Sequence, residues 1–104
     1  MIRLDEIEPK ELVKGGEARF LHSEYMTLAY WHIKTGAVIP EHSHPHEQVT
    51  TVMEGKFKIV IGGVEHLLDV GCAVVIPPDV PHSGQALADS FLIDAFYPQR
   101  DDYR

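Results

Sequence analysis

The sequence predicts an all-β fold, a sandwich or barrel, on three observations. Turn-forming residues recur roughly every eight to twelve positions. The stretches between them are rich in Val, Ile, Thr, Phe and Tyr, which suit a pleated, half-buried surface. The N-terminal "LDEIEPKELVKGG" allows at most about one helical turn.

The predicted strands, in order, are Tyr25–Ile33, Gln48–Met53, Lys56–Ile61, Val64–Leu68, Ala73–Ile76 and Ser90–Tyr97. Tyr25–Ile33 carries Met26, Leu28, Tyr30 and His32 on one face and Tyr25, Thr27, Ala29, Trp31 and Ile33 on the other. Apolar groups on both faces imply burial on both sides, in a core and against a second subunit, so a homodimer is expected. "KFKIVI" and "VEHLL" flank Gly62-Gly63, a two-residue hairpin signal, because both positions tolerate positive φ. Pro77, Pro78 and Pro81 stop the Ala73–Ile76 strand, since proline cannot donate to a sheet ladder. In Ser90–Tyr97 one face holds Leu92, Asp94 and Phe96, and the other Phe91, Ile93, Ala95 and Tyr97. Asp94 is thus a carboxylate within an apolar strand. It must be hydrogen-bonded or have its pKa raised, either as a structural acceptor or as an acid/base facing a cavity.

A length of 104 residues suits a single domain over residues 1–104, with residues 1–20 as an N-terminal extension. A net charge of -7 without a Lys/Arg cluster argues against nucleic acid or anionic membrane as partner. No apolar run approaches the roughly 20 residues of a membrane span. "MIRLDEIE" lacks a signal-peptide core, so a cytoplasmic protein is expected. The single cysteine, Cys72, excludes an internal disulfide framework and reads as a small buried residue.

Chemistry concentrates in "GAVIPEHSHPHEQ", residues 36–48. On an extended backbone His42, His44, His46 and Gln48 share one face. His82, in "IPPDVPHS", is a further imidazole. Imidazoles and amide oxygens suit a divalent metal, so His42, His44, Gln48 and His82 are the candidate ligands. Strand parity favours Gln48 over Glu47, although Pro45 can break the alternation. His46 follows Pro45 and reads as a rim group. His22, His32 and His66 read as ordinary histidines, and Tyr30, Trp31 and Tyr97 as core aromatics.

Gly36-x5-His42-x-His44-x3-Gln48-x6-Gly55 resembles the first cupin motif, and Gly71-x5-Pro77-x-Asp79-x2-His82 the second, within residues 36–55 and 71–86. Gln48 stands where the usual pattern has Glu, Asp79 where it has Gly, and Ala86 where it often ends in Asn. The resemblance implies a double-stranded β-helix (jelly roll) with a metal in the barrel mouth. From about Gly36 onward, "HSHPHEQVTTVMEGKFKIVIGG", "VVIPPDVPHSGQA" and "FLIDAFYPQRDDYR" further resemble the KdgF type of pectin-degradation cupin. That likeness implies a metal held by His42, His44, Gln48 and His82, and catalytic or substrate-contacting roles for Asp94, Phe96 and Arg100. The implied activity converts 4,5-unsaturated uronates, released by pectate or alginate lyases, into linear ketonized sugars.

The residues are compatible with that chemistry. Three neutral imidazoles and an amide leave a divalent cation its full charge, which favours an anionic sugar or keto acid and Lewis-acid catalysis. The expected metals are Ni, Fe, Mn, Zn or Co. Asp94 would carry the proton, Arg100 would grip the substrate carboxylate bidentately, and Phe96 would form an apolar wall. Arg100 sits in a charged tail and also reads as a solvated side chain. Two other functions stay open: an Fe(II)-dependent dioxygenase of a small diketone or aromatic, and a non-catalytic sugar-binding cupin.

Overall fold

The computed structural model describes residues 1–104. Its strands are β1 (Lys10–Val13), β2 (Gly16–His22), β3 (Thr27–Ile33), β4 (Val38–His42), β5 (Glu47–Glu54), β6 (Lys56–Ile61), β7 (Val64–Asp69), β8 (Ala73–Ile76), β9 (His82–Ala86) and β10 (Ser90–Tyr97). A six-stranded sheet has the order β1-β2-β3-β10-β5-β8, and a four-stranded sheet the order β4-β9-β6-β7. All the pairings are antiparallel. The two sheets close on a shared core that includes Phe20, Trp31, Val52, Phe57, Ile76 and Leu92. This is the all-β jelly roll that the sequence predicts. No helix is long and apolar enough to cross a membrane.

The expected strands are present with small shifts at their ends, and four others join them. The segment read as an N-terminal extension has its one turn at Leu4–Glu6, a 3-10 turn, and then forms β1 and β2 at the edge of the larger sheet. In β2 the small residues Gly16 and Ala18 share the inward face with Phe20, the strand's one aromatic β-former. β4 contains Pro40, which its place at a sheet edge tolerates, because an edge strand leaves one row of backbone groups unpaired. β9 reads "HSGQA" and contains no Val, Ile, Thr, Phe, Tyr or Trp. It is a strand because β4 and β6 pair with it on either side.

The Gly62-Gly63 hairpin joins β6 to β7 with φ of 53° and 82°, as the paired glycines imply. β8 stops at Ile76, before Pro77. Cys72 corrects an expectation: it is exposed, because it lies in the turn before β8 and not in the strand. Tyr97, expected in the core, is also exposed, at the outward-facing end of β10.

Register places the site. On β10, Leu92, Asp94 and Phe96 pair with Trp31, Ala29 and Thr27 of β3 on one side. On the other side they pair with Val52, Thr50 and Gln48 of β5. Directly paired residues share a face, so Gln48, Thr50, Asp94, Phe96 and Trp31 all project into the barrel.

Candidate metal centre and its cavity

One imidazole comes from each of three places. His42 ends β4, His44 lies in the β4–β5 connection, and His82 begins β9, directly paired with His42. Gln48 is the second residue of β5, in the opposite sheet. The expectation that "HSHPHEQ" lies on one strand is therefore corrected. The chain leaves the four-stranded sheet after His42, turns through Ser43–His46 around Pro45, and enters the six-stranded sheet at Glu47. The crossing still brings the groups together: one ligand nitrogen from each of His42, His44 and His82 lies within 4.8 Å of the others. Gln48 is buried and Glu47 exposed, as parity requires.

Each ring is fixed by a carbonyl two residues away. Nδ1–H of His42 donates to the Pro40 carbonyl at 2.8 Å, that of His44 to His46 at 3.0 Å, and that of His82 to Val80 at 2.9 Å. With its proton on Nδ1, each neutral ring presents an Nε2 lone pair. Burial, with the Arg100 charge second, lowers the pKa of His44, and burial lowers that of His82 to about 4, so both rings are neutral at pH 7. His46 thus contributes its carbonyl, while its own ring stands edge-on to His44 outside the convergent trio. His22, His32 and His66 lie elsewhere: His22 bonds Thr27, and His32 stacks on Phe91.

The donor set fits a divalent cation. Nε2 of His82 is buried without a hydrogen-bond partner. Nε2 of His44 stands 3.0 Å from Oε1 of Gln48. These two lone-pair donors repel each other unless a cation lies against both. Both atoms would serve as ligands to one divalent cation, which would satisfy the two lone pairs together.

Behind the amide, Nε2 of Gln48 donates to Oγ1 of Thr50 at 2.9 Å, and the Thr50 hydroxyl donates to Oδ1 of Asp94 at 2.6 Å. Asp94 is only 6% exposed. Burial pushes its pKa up to about 6, against the opposing pull of Thr50, Gln48, Trp31 and Arg100. Its titration is thereby moved from the ordinary carboxylate range toward neutrality.

Arg100 is buried, which sets aside the solvated reading. Its guanidinium lies 4.8 Å from the Phe96 ring centroid and 4.2 Å from that of Tyr103. Its Nε and Nη2 are already bound to Asp102, at 3.0 and 2.7 Å. Asp102 thus occupies the Nε side of the fork, and Nη1, buried and unpartnered, remains on the other side. Asp102 and Tyr103 lie in the 3-10 turn Asp101–Tyr103, in a charged tail whose lack of periodicity leaves no sequence signal for them.

These groups line one cavity of about 270 Å³. His42 and His82 come from one sheet, Gln48, Thr50, Asp94 and Trp31 from the other, and Arg100 and Tyr103 from the C-terminal segment.

Residues 29–92 match the Cupin domain family. The chain is 31% identical over 102 residues to the pectin degradation protein KdgF of Dickeya dadantii, covering 95% of this chain and 93% of that one. Among solved structures, KdgF from a Halomonas species superposes with a TM-score of 0.90 at 30% identity, covering 96% and 94% of the two chains. An RmlC-like cupin from Shewanella frigidimarina superposes with a TM-score of 0.93 at 28% identity, covering 100% and 95%. The chain belongs to the cupin family, and within it resembles the KdgF pectin degradation proteins.

Proposed function

We propose that this cupin opens 4,5-unsaturated uronates to linear keto sugars, with His42, His44, Gln48 and His82 holding a divalent transition metal. The observation that carries the proposal is that one small cavity, lined by His42, Gln48 and His82 of the Nε2-presenting cluster, also holds the buried Asp94 carboxyl. At about 270 Å³ the cavity lies just below the ~300–1,000 Å³ of drug-sized sites, so a monosaccharide suits it better than a polymer. A divalent cation bound there supplies Lewis acidity toward substrate oxygens.

The protein's own groups do the rest. Arg100 offers Nη1–H to the substrate carboxylate, and Asp102 keeps the guanidinium plane fixed. Phe96 and Tyr103 flank that guanidinium and shield it from water. Asp94, as carboxylate, takes the proton from the hydroxyl on the anomeric carbon. The bond from that carbon to the ring oxygen breaks, leaving an aldehyde and an enolate. Asp94 then returns a proton to the alkene carbon as the enolate becomes a ketone. The product is an isomer of the substrate, with no external oxidant or reductant.

The test is to follow loss of the alkene absorbance of an unsaturated uronate with fully metallated protein. Acceleration over the spontaneous rate is expected, and no acceleration refutes the proposal. Cytoplasmic action on lyase products accompanies this reading. A homodimer does too: the outer face of the six-stranded sheet carries half-buried Leu28, Tyr30, Phe91 and Ile93, to be covered by a second copy. Light scattering that gives a monomer's mass would refute the dimer.

A further inference from the structure

Thr50 belongs to no ligand set, yet it joins the two halves of the site. It is 1% exposed, at the middle of β5, paired to Asp94 on one side and to Val74 on the other. Its hydroxyl lies between the Gln48 amide at 2.9 Å and the Asp94 carboxyl at 2.6 Å.

The direction of this chain follows from the inventory of donors. An amide nitrogen only donates, so Thr50 Oγ1 must accept from Gln48. The hydroxyl has a single hydrogen, and it goes to Oδ1 of Asp94. Two consequences follow. The other end of the amide, Oε1, faces the imidazoles, and it is the only end that can bind a cation. Oδ2 is the Asp94 oxygen that does not accept from Thr50.

We propose that Thr50 is a positioning residue that holds the Gln48 amide with its oxygen toward the imidazole trio. The proposal rests on the metal reading above. Freed from Thr50, the amide has a better alternative. Its NH2 can turn to the Nε2 lone pair of His44, 3.0 Å from the present Oε1, and donate there. That rotamer presents nitrogen and hydrogen where a cation needs oxygen, so metal binding must first reverse the turn. Outer partners that orient metal ligands typically contribute 10–100-fold in affinity.

The test is calorimetric titration of metal-stripped protein with Zn2+ alone, comparing wild type, Thr50→Val and Thr50→Ser, with thermal melting of each stripped protein. Val keeps the shape and removes the hydroxyl; Ser keeps the hydroxyl. Affinity is expected to fall by about tenfold or more in Thr50→Val and to return to within about threefold of wild type in Thr50→Ser. If Thr50→Val does not fold, Thr50→Ala takes its place in the same comparison. Equal binding by wild type and the hydroxyl-free variant, or a Ser variant as weak as Val, overturns the inference and leaves the metal site intact. Wild-type protein that takes up no Zn2+ overturns the metal reading and this inference together. Because no uronate is present, none of these outcomes depends on the ring-opening reaction.

Discussion

Replacing Asp94 with asparagine separates its cost to the fold from its use in chemistry. The carboxyl is buried between Ala29 and Thr50, and burial raises its pKa from 3.8 to about 6. Between those values the native state holds a proton that the unfolded chain has released. Stability contributed by Asp94 is therefore fully present below pH 3.8 and lost as pH rises through about 6. A shift of about two units corresponds to roughly 3 kcal/mol. An asparagine amide does not titrate, and its Oδ1 can still accept the Thr50 hydroxyl. The Asp94→Asn variant should thus gain stability relative to wild type between pH 4 and pH 8, by up to roughly 3 kcal/mol, or on the order of 10 °C in Tm.

Urea denaturation of both metal-free proteins at pH 4 and pH 8 reads this directly, because titrations common to the two proteins cancel in the difference. The metallated variant should retain its metal and lose roughly 10²–10⁴-fold in ring-opening rate. A stability difference that is the same at both pH values would refute the raised pKa. Full ring-opening activity in Asp94→Asn would refute the proton-carrier role.

Gln48→Glu puts a carboxylate beside the imidazole trio; it should bind metal more tightly, seen by competition with a chelator, and turn over unsaturated uronate more slowly, because charge on the ligand reduces Lewis acidity. Arg100→Lys removes both the planar fork that Asp102 holds at 3.0 and 2.7 Å and the free Nη1, so steady-state kinetics should show KM rising at least about tenfold with metal content unchanged. Asp79 has φ of 65°, and its N–H donates to the His44 carbonyl at 2.8 Å. Asp79→Gly should therefore raise stability by up to about 1 kcal/mol, whereas Asp79→Val should lower it, as thermal melting will show.

That last position shows what a motif departure conceals. Asp stands where the cupin pattern has Gly, yet the backbone keeps the left-handed conformation that explains a glycine there. The conformation is held by a different residue type, and Asp is among the few side chains that tolerate it. β9 shows the converse. "HSGQA" carries no strand propensity, and only its neighbours β4 and β6 make it one. Propensity is local, whereas pairing is supplied by residues distant in sequence.

The sequence alone determined the β class, the Gly62-Gly63 hairpin, the stop at Pro77, the preference for Gln48 over Glu47 and the shared face of Asp94 and Phe96. These follow from backbone sterics and the two-residue period of a strand, which a linear string records directly. The folded arrangement settles that His42 and Gln48 reach one centre from opposite sheets, that Asp102 binds the Nε side of Arg100, and that Thr50 bridges amide to carboxyl. These depend on strand register and on which sheet each segment joins. The reason is physical: hydrogen bonds such as that from Thr50 to Asp94, 44 positions apart, form between partners chosen by packing, and no local pattern encodes that choice.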